Sequence, residues 1–276
     1  MKIYQMADRV RYSRMTTDEL RETFLVEDLF KPGVIEAVYV DLDRTIIGSA
    51  VPLAGPLALP NCPELRADYF TERRELGVLN IGGRGSIRAG EHTYDLDTLD
   101  CLYVGRGTPE VIFSSADASH PAEFYLLSYP AHKEYPTQLS KNKDLEGLAL
   151  GAGETCNQRE IRKHIHMEGV RSCQLVMGFT QLMPGSVWNT MPAHTHMRRS
   201  EVYFYFNLPQ EDRVLHLMGP SEESRHIVVA NKQVVISPGW SMHAGVGTRA
   251  YTFCWGMGGE NQAYNDMDAI KVAEIR

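Results

Sequence analysis

From residue 34 onward the chain is written in short apolar segments separated by Gly, Pro and Asp. VIEAVYVDL, RTIIGSAV, DCLYVGRG and EVIFSS in the first half, and EVYFYFNL, RVLHLMG, QVVISPG and YTFCWGM in the second, are too short for helices. They are rich in the β-branched and aromatic residues that suit a pleated, half-buried surface. Turn signals at intervals of roughly 8–12 residues predict sandwiches or barrels, not βαβ units. The fold class expected is all-β, with a polar stretch at residues 140–160 (SKNKDLEGLALGAGETCNQRE) as the boundary between two β domains. One helix is expected before them. Thr16 followed by Glu19 makes a capping box that opens DELRETFLVEDLF, with Leu20 and Phe24 on one face. It reads as a surface helix on a β core, without a part in chemistry.

Composition narrows the function classes. A length of 276 residues allows two domains or one large β domain, and 43% apolar with 23% charged residues is ordinary for a globular chain. The net charge of -7, from 28 basic and 35 acidic side chains, excludes a broad electrostatic affinity for nucleic acid. No apolar run reaches the ~18 residues of a membrane span. The longest, residues 48–60, contains Pro52, Pro56 and Pro60 and reads as a loop with a short edge strand. The first residues lack a secretory apolar core, and Cys62, Cys101, Cys156, Cys173 and Cys254 show no CxxC spacing. Reduced thiols in a cytoplasmic protein are the expectation.

The two halves resemble each other faintly. YFTERRELGVLNI (69–81) can be laid over THMRRSEVYFYFNL (195–208), which sets Glu75 beside Glu201. LYVGRGTPEVIF (102–113) laid over VVISPGWSMHAG (234–245) aligns Gly107 with Gly239 and puts Val111 opposite His243. On that reading the second half keeps a histidine where the first has an apolar residue.

Histidines carry the chemistry. His194 and His196 stand two apart, and alternate residues of a strand share a face, so both imidazoles project into one space. Glu201 opens the next strand, and His243 follows the turn SPGWSM on a strand that can lie beside the first. Three imidazoles and a carboxylate suit Zn, Fe, Mn, Ni or Co. A second pair, His164 and His166, is flanked by Arg162 and Lys163 and has no later residue to complete it, so it reads as a solvated or subunit-facing strand. His92, His120, His132, His216 and His226 are isolated and read as structural. No phosphate-binding GxxxxGK[ST], strand-linked GxGxxG or GxSxG nucleophile elbow is present, and GGRGSIRAG (82–90) reads as a hairpin.

With these residues in place, the chain resembles the cupin superfamily: His-x-His, a nearby Glu, then a distant Pro-Gly turn before a third His. Within it, FLVEDLF, YFTERRELGVLNIGGRGSI, WNTMPAHTHMRRSEVYFYFN and RHIVVANKQVVISPGWSMHAGVGTRAYTFCWGMGGENQ are similar to the 5-keto-4-deoxyuronate isomerases of pectin breakdown, nearly end to end. The helical signal and the polar stretch divide the chain into an N-terminal arm and helix (1–30), a first β domain (31–150) and a second (151–276). The resemblance implies that both β domains are cupin-type jelly-roll barrels, with metal only in the second. It implies one Zn²⁺ per subunit held by His194, His196, Glu201 and His243, and a homohexamer. The reaction implied is the aldose–ketose interconversion of a 4-deoxy-5-keto-uronate and 3-deoxy-D-glycero-2,5-hexodiulosonate. A metal-dependent cupin dioxygenase and a non-catalytic sugar-acid-binding cupin are the alternatives.

A small uronate is an anion, so an acidic protein needs a placed cation, and Arg suits a planar carboxylate. Alternation puts Arg198 on the face of His194 and His196, and Arg225 is a second candidate. Tyr203 and Tyr205 share the parity of Glu201 and can donate hydrogen bonds to substrate. Neither nucleic acid nor membrane is an expected partner, and the sequence assigns no general base.

Overall fold

The computed structural model describes residues 1–276. The chain is almost entirely β, with two short α-helices near its start. No helix is long and apolar enough to cross a membrane, and all five cysteines are free. Two compact units form, and the chain divides between them differently from a single cut in the polar stretch. The first contains Met1–Tyr4, Asp28–Leu145 and His164–Val176; the second contains Gln5–Glu27, Glu146–Lys163 and Met177–Arg276. Most of the arm, Gln5–Glu27, goes to the second unit, where Leu25–Val26 adds an edge strand with Leu25 opposite Val235 and Val26 opposite Val234.

Four sheets share one plan, repeated. The first large sheet runs Lys2–Tyr4, Ile35–Val40, Ile46–Ala50, Phe124–Pro130, Arg74–Asn80, Cys101–Val104, Gln138–Ser140. The second runs Leu148–Leu150, Arg159–Ile165, Val176–Leu182, Thr252–Gly259, Arg199–Phe206, Gln233–Ser237, Leu25–Val26. The smaller sheets also match: Leu57–Ala58, Val111–Ser115, Gly85–Ala89, His92–Leu96 against Trp188–Thr195, Met242–Gly247, Val214–Gly219, Arg225–Val229. The second small sheet gains Asp268–Ala269 at its edge. Apart from the last edge strand of each large sheet, Gln138–Ser140 from the end of the first set and Leu25–Val26 from the N-terminal arm, strand order in sequence is the same in both sets, which is the mark of an internal duplication.

What fills each interior differs. In the first unit Leu76, Val78, Leu102 and Phe124 of the large sheet pack on Ile87, Val111 and Phe113 of the small one, with Phe113 and Phe124 ring centres 5.4 Å apart. This interior is apolar throughout. In the second unit the residues facing the small sheet are Glu201, Tyr203 and Tyr205. Tyr203 stacks on Phe253 at 5.1 Å and lies 5.2 Å from His243, while Phe204 and Phe206 stack on each other at 5.3 Å.

This facing corrects the pairing of Glu75 with Glu201. Leu76 and Val78 lie in the apolar interior, so Glu75, one residue earlier, points to the other side of its sheet. There the buried Glu75 carboxylate accepts from the Tyr103 hydroxyl at 2.8 Å and from the backbone N–H groups of Cys173, Gln174 and Leu175 at 2.6, 2.8 and 2.8 Å. Matching Asn80 to Asn207 at the strand ends brings Leu76 onto Tyr203 and Arg74 onto Glu201. Arg74 is buried, donating to the Ser128 hydroxyl and to the carbonyls of Ser128 and Arg44. A cation stands where a metal site would need a carboxylate.

The helices brace the turn before His243. Helix α1 spans Arg9–Tyr12 and α2 spans Thr17–Phe24, the latter with both halves of its capping box formed. Tyr12 and Phe24 pack edge-on against Trp240, at 5.3 and 6.5 Å. The Tyr12 hydroxyl donates to the Met218 carbonyl at 2.9 Å. Gly219, at φ +104°, lies so close to that hydroxyl that a Cβ there would collide with it. The arm therefore supports the segment that carries a site histidine, which amphipathicity alone did not indicate.

Candidate metal centre

Strand Trp188–Thr195 pairs antiparallel with Met242–Gly247, and His194 stands directly opposite His243. A register shift between Asn189 and His194 sets this pairing. His196 follows the strand's end, where Arg199 N–H bonds the His196 carbonyl and turns the chain back. Strand Arg199–Phe206 then presents Glu201 opposite Ser237 and Met257.

These four side chains meet. One ligand atom from each of His194, His196, Glu201 and His243 lies within 4.8 Å of all the others, the one such cluster in the chain. His194 Nε2 is 3.1 Å from His243 Nε2, and Glu201 Oε2 is 2.9 Å from His196 Nε2 and 3.0 Å from His243 Nε2. Two donors bound at right angles at about 2.1 Å stand about 3.0 Å apart, so these separations fit one small cation. The remote ring nitrogens are held as ligand histidines require. His196 Nδ1 is 3.0 Å from the Arg199 carbonyl, and His243 Nδ1 is 3.1 Å from the Ser237 hydroxyl. With its proton on Nδ1, His196 turns an Nε2 lone pair toward a carboxylate, an arrangement that a cation between them makes favourable.

The electrostatics of His194 and Glu201 agree, while His196 is drawn the other way by its carboxylate neighbour. Burial, reinforced by neighbouring His243, pushes His194 down to about 3, so its ring is neutral and available as a ligand. Burial opposes ionisation of Glu201, but His243 and His196 outweigh it and hold the carboxyl well below its usual range. Burial likewise opposes charge on His196, yet the Glu201 carboxylate keeps its pKa above the ordinary value.

The cluster opens on a cavity of about 320 Å³, to which His194 and Glu201 contribute wall. Ala193, Phe253, Trp255 and Met257 make it largely apolar; Arg159, Arg199, Tyr203 and Tyr264 supply polar groups. Tyr203 thus faces the cavity, its hydroxyl 3.1 Å from Thr190 Oγ1. Tyr205 does not line it; its hydroxyl is 2.7 Å from Nδ1 of the fully buried His216.

The two expected arginines are placed elsewhere. The turn at 196–199 breaks the alternation, and Arg198 points outward to Asp266 (2.8 Å) and Asp268 (2.9 Å). Arg225 donates to the Met15 carbonyl at 2.5 Å, tying down the helical arm. His164 is also corrected: it is 1% exposed, with Nδ1 2.9 Å from the Ser140 hydroxyl, so it is neither solvated nor on an open face.

Residues that sequence reasoning passed over are Arg159, Arg199 and Tyr264. Arg159 and Ile161 alternate in REIRKHI, and both line the cavity. That period of two was legible, but nothing marked the strand as neighbouring the site. Arg199 is 2% exposed and donates to the carbonyls of Ala263 (2.7 Å) and Asp266 (3.0 Å). Tyr264 packs on Trp255 at 5.2 Å beneath Lys163, whose Nζ is 4.1 Å from its ring centre.

Comparison with known proteins is consistent across most of the chain. A curated 4-deoxy-L-threo-5-hexosulose-uronate ketol-isomerase of Caldicellulosiruptor bescii is 51% identical over 266 residues, 96% of each chain. Proteins of that name from Halalkalibacterium halodurans (51% over 263 residues, 95% of each chain) and Enterobacter sp. (45% over 278 residues, 100% of each) are similar too. Among solved structures, an IolB-like protein of Salmonella typhimurium shares the fold with a TM-score of 0.73 at 17% identity, over 90% of this chain and 96% of its own. An oxalate decarboxylase of Lactobacillus farciminis does so at 0.61 and 12%, over 90% of this chain and 88% of its own. The sequence profile of the KduI/IolB family matches residues 33–274, and the chain belongs to that family.

Proposed function

We propose that the protein is a 4-deoxy-L-threo-5-hexosulose-uronate ketol-isomerase that uses a divalent metal, zinc, held by His194, His196, Glu201 and His243. The observation that carries this reading is the convergence of those four donors on the cavity wall, in a chain half identical to relatives of that name. The product is 3-deoxy-D-glycero-2,5-hexodiulosonate. When bound, the metal supplies a Lewis acid that polarises the carbonyl and stabilises the charge developing on oxygen as hydrogen moves between adjacent carbons. A redox-inert ion suits a reaction in which no electron leaves the substrate.

The chain's own residues do the rest. Burial raises Tyr203 well above its usual value and pushes Tyr264 up to about 12. Both phenols stay protonated and act as hydrogen-bond donors to sugar oxygens. The apolar walls exclude water and strengthen each polar contact inside. With this reading goes a homohexamer acting in the cytoplasm on products of pectin breakdown, as the family resemblance implies.

The test mixes purified, zinc-loaded protein with the keto-uronate released from unsaturated galacturonate and follows the new ketose by NMR, with metal analysis and dissolved oxygen measured in parallel. Conversion without oxygen uptake supports the proposal. No conversion with zinc bound overturns it, and oxygen uptake points to the dioxygenase alternative.

A further inference from the structure

The cations of the second unit differ in what already occupies them. Arg198 is neutralised by two aspartates, Arg162 is paired with Glu160, Arg225 donates to the Met15 carbonyl, and Arg199 gives both terminal nitrogens to backbone carbonyls, which leaves its buried Nε alone without a partner. Arg159 stands apart. It lines the cavity among apolar walls, makes no ion pair, and its guanidinium donates to a single partner, the Asn157 carbonyl, through Nη1 at 2.9 Å. The groups around it are phenols, Tyr264 and Tyr203, and burial lowers its pKa, as for a cation with no carboxylate beside it. A half-buried guanidinium with one hydrogen bond and no ion pair keeps donors free for an anion that enters the cavity.

We propose that Arg159 is the residue that receives the substrate's carboxylate, and that it sets the preference of this cavity for acidic over neutral sugars. The inference rests on the isomerase reading and adds an orientation to it. In an open-chain hexosulose uronate the aldehyde and the carboxylate are the two ends of a six-carbon chain, roughly 6 Å apart when extended. With the reacting end at the histidine–glutamate cluster, the carboxylate needs a cation elsewhere on the same cavity. Arg199 is drawn toward Glu201 and the adjoining strap, whereas Arg159 comes from a different sheet strand and retains free donors in its planar fork.

The test compares zinc-loaded wild type, Arg159→Gln and Arg159→Lys on the keto-uronate and on its C6 amide. Wild type is expected to prefer the acid by about 30-fold in kcat/KM. In R159Q the KM for the acid rises about 10- to 100-fold, kcat stays within about threefold, and the preference for acid over amide falls to near one. R159K lies between, because it keeps the charge without the fork. Equal use of acid and amide by wild type overturns the proposal, as does an unchanged KM in R159Q. Should R159Q fail to bind one zinc per chain, the wild-type acid-to-amide ratio decides alone. If wild type converts neither compound, the isomerase reading falls, and calorimetric titration with galacturonate against galactose still tests Arg159. Tighter binding of the acid, weakened in R159K and abolished in R159Q, supports it; equal binding by wild type, or tighter binding of the acid retained in R159Q, overturns it.

Discussion

His194 and His243 face each other across an antiparallel strand pair, with their Nε2 atoms 3.1 Å apart. The ladder fixes where the two side chains leave the backbone, and the Ser237 hydroxyl at His243 Nδ1 holds one of the rings. Backbone pairing therefore places both imidazoles at one point without help from a loop.

Replacing His243 with Ala removes one donor while Met242 and Ala244 keep the strand packed. Zinc content falls, turnover drops by at least about 10²- to 10³-fold, and circular dichroism stays unchanged. Metal analysis beside a turnover assay checks this; activity retained with zinc still bound would remove His243 from the ligand set.

Ser237 acts one bond further out. Its hydroxyl lies 3.1 Å from His243 Nδ1 and fixes which nitrogen faces the cluster. Ser237→Ala weakens zinc binding about 10- to 100-fold without unfolding the protein. Competition with a chelator of known affinity measures it.

Glu75 predicts a stability effect separated from metal. Glu75→Ala leaves three backbone N–H groups and the Tyr103 hydroxyl without their acceptor, at a cost of about 3 kcal/mol or more. Glu75→Gln also destabilises, since its amide turns an NH₂ toward donors. Thermal unfolding shows the loss, while zinc bound per folded chain is unchanged. Loss of zinc in folded E75Q would contradict a purely structural role.

Asp266 ties the strap carrying Tyr264 to Arg198 at 2.8 Å. The hydrogen bond from Arg198, then that from Asn261, lowers its pKa from 3.8 to about 2. Because the folded value is depressed, the contact is fully present above pH 3.8 and is lost only as pH falls toward 2. Wild-type amide exchange in residues 261–267, corrected for intrinsic rates, is thus flat from pH 5 to 9. In Asp266→Asn it is about two- to fivefold faster at pH 7, the scale of an exposed pair. Equal protection in both proteins would show that the strap is held by Arg199 alone.

Much of the fold was legible because β segments announce themselves locally. The period of two in EVYFYF and the Gly and Pro punctuation required no partner to be read, and Thr16 with Glu19 marked the start of α2 by a contact of three residues' range. The His-x-His spacing, the following Glu and the turn before His243 likewise named the residues that meet in the cluster. Val111, which was laid over His243, faces the apolar interior of the first unit.

What the sequence could not decide was facing and partnership. A shift of one residue turns a strand's side chains over, so Glu75, which looked like the counterpart of Glu201, points away from the interior and binds backbone N–H groups about a hundred residues on. Arg198 had the right parity, but a turn intervened and two aspartates claimed it. Arg159 carried no motif, and the role proposed for it depends on an absent ion pair and a cavity that the chain assembles from seven separate stretches. Local periodicity and spacing therefore determined the strands and the four donors that meet in the cluster. Which charges face the cavity and stay unpaired was decided by tertiary packing alone, because a charge's availability depends on every neighbour the fold brings to it.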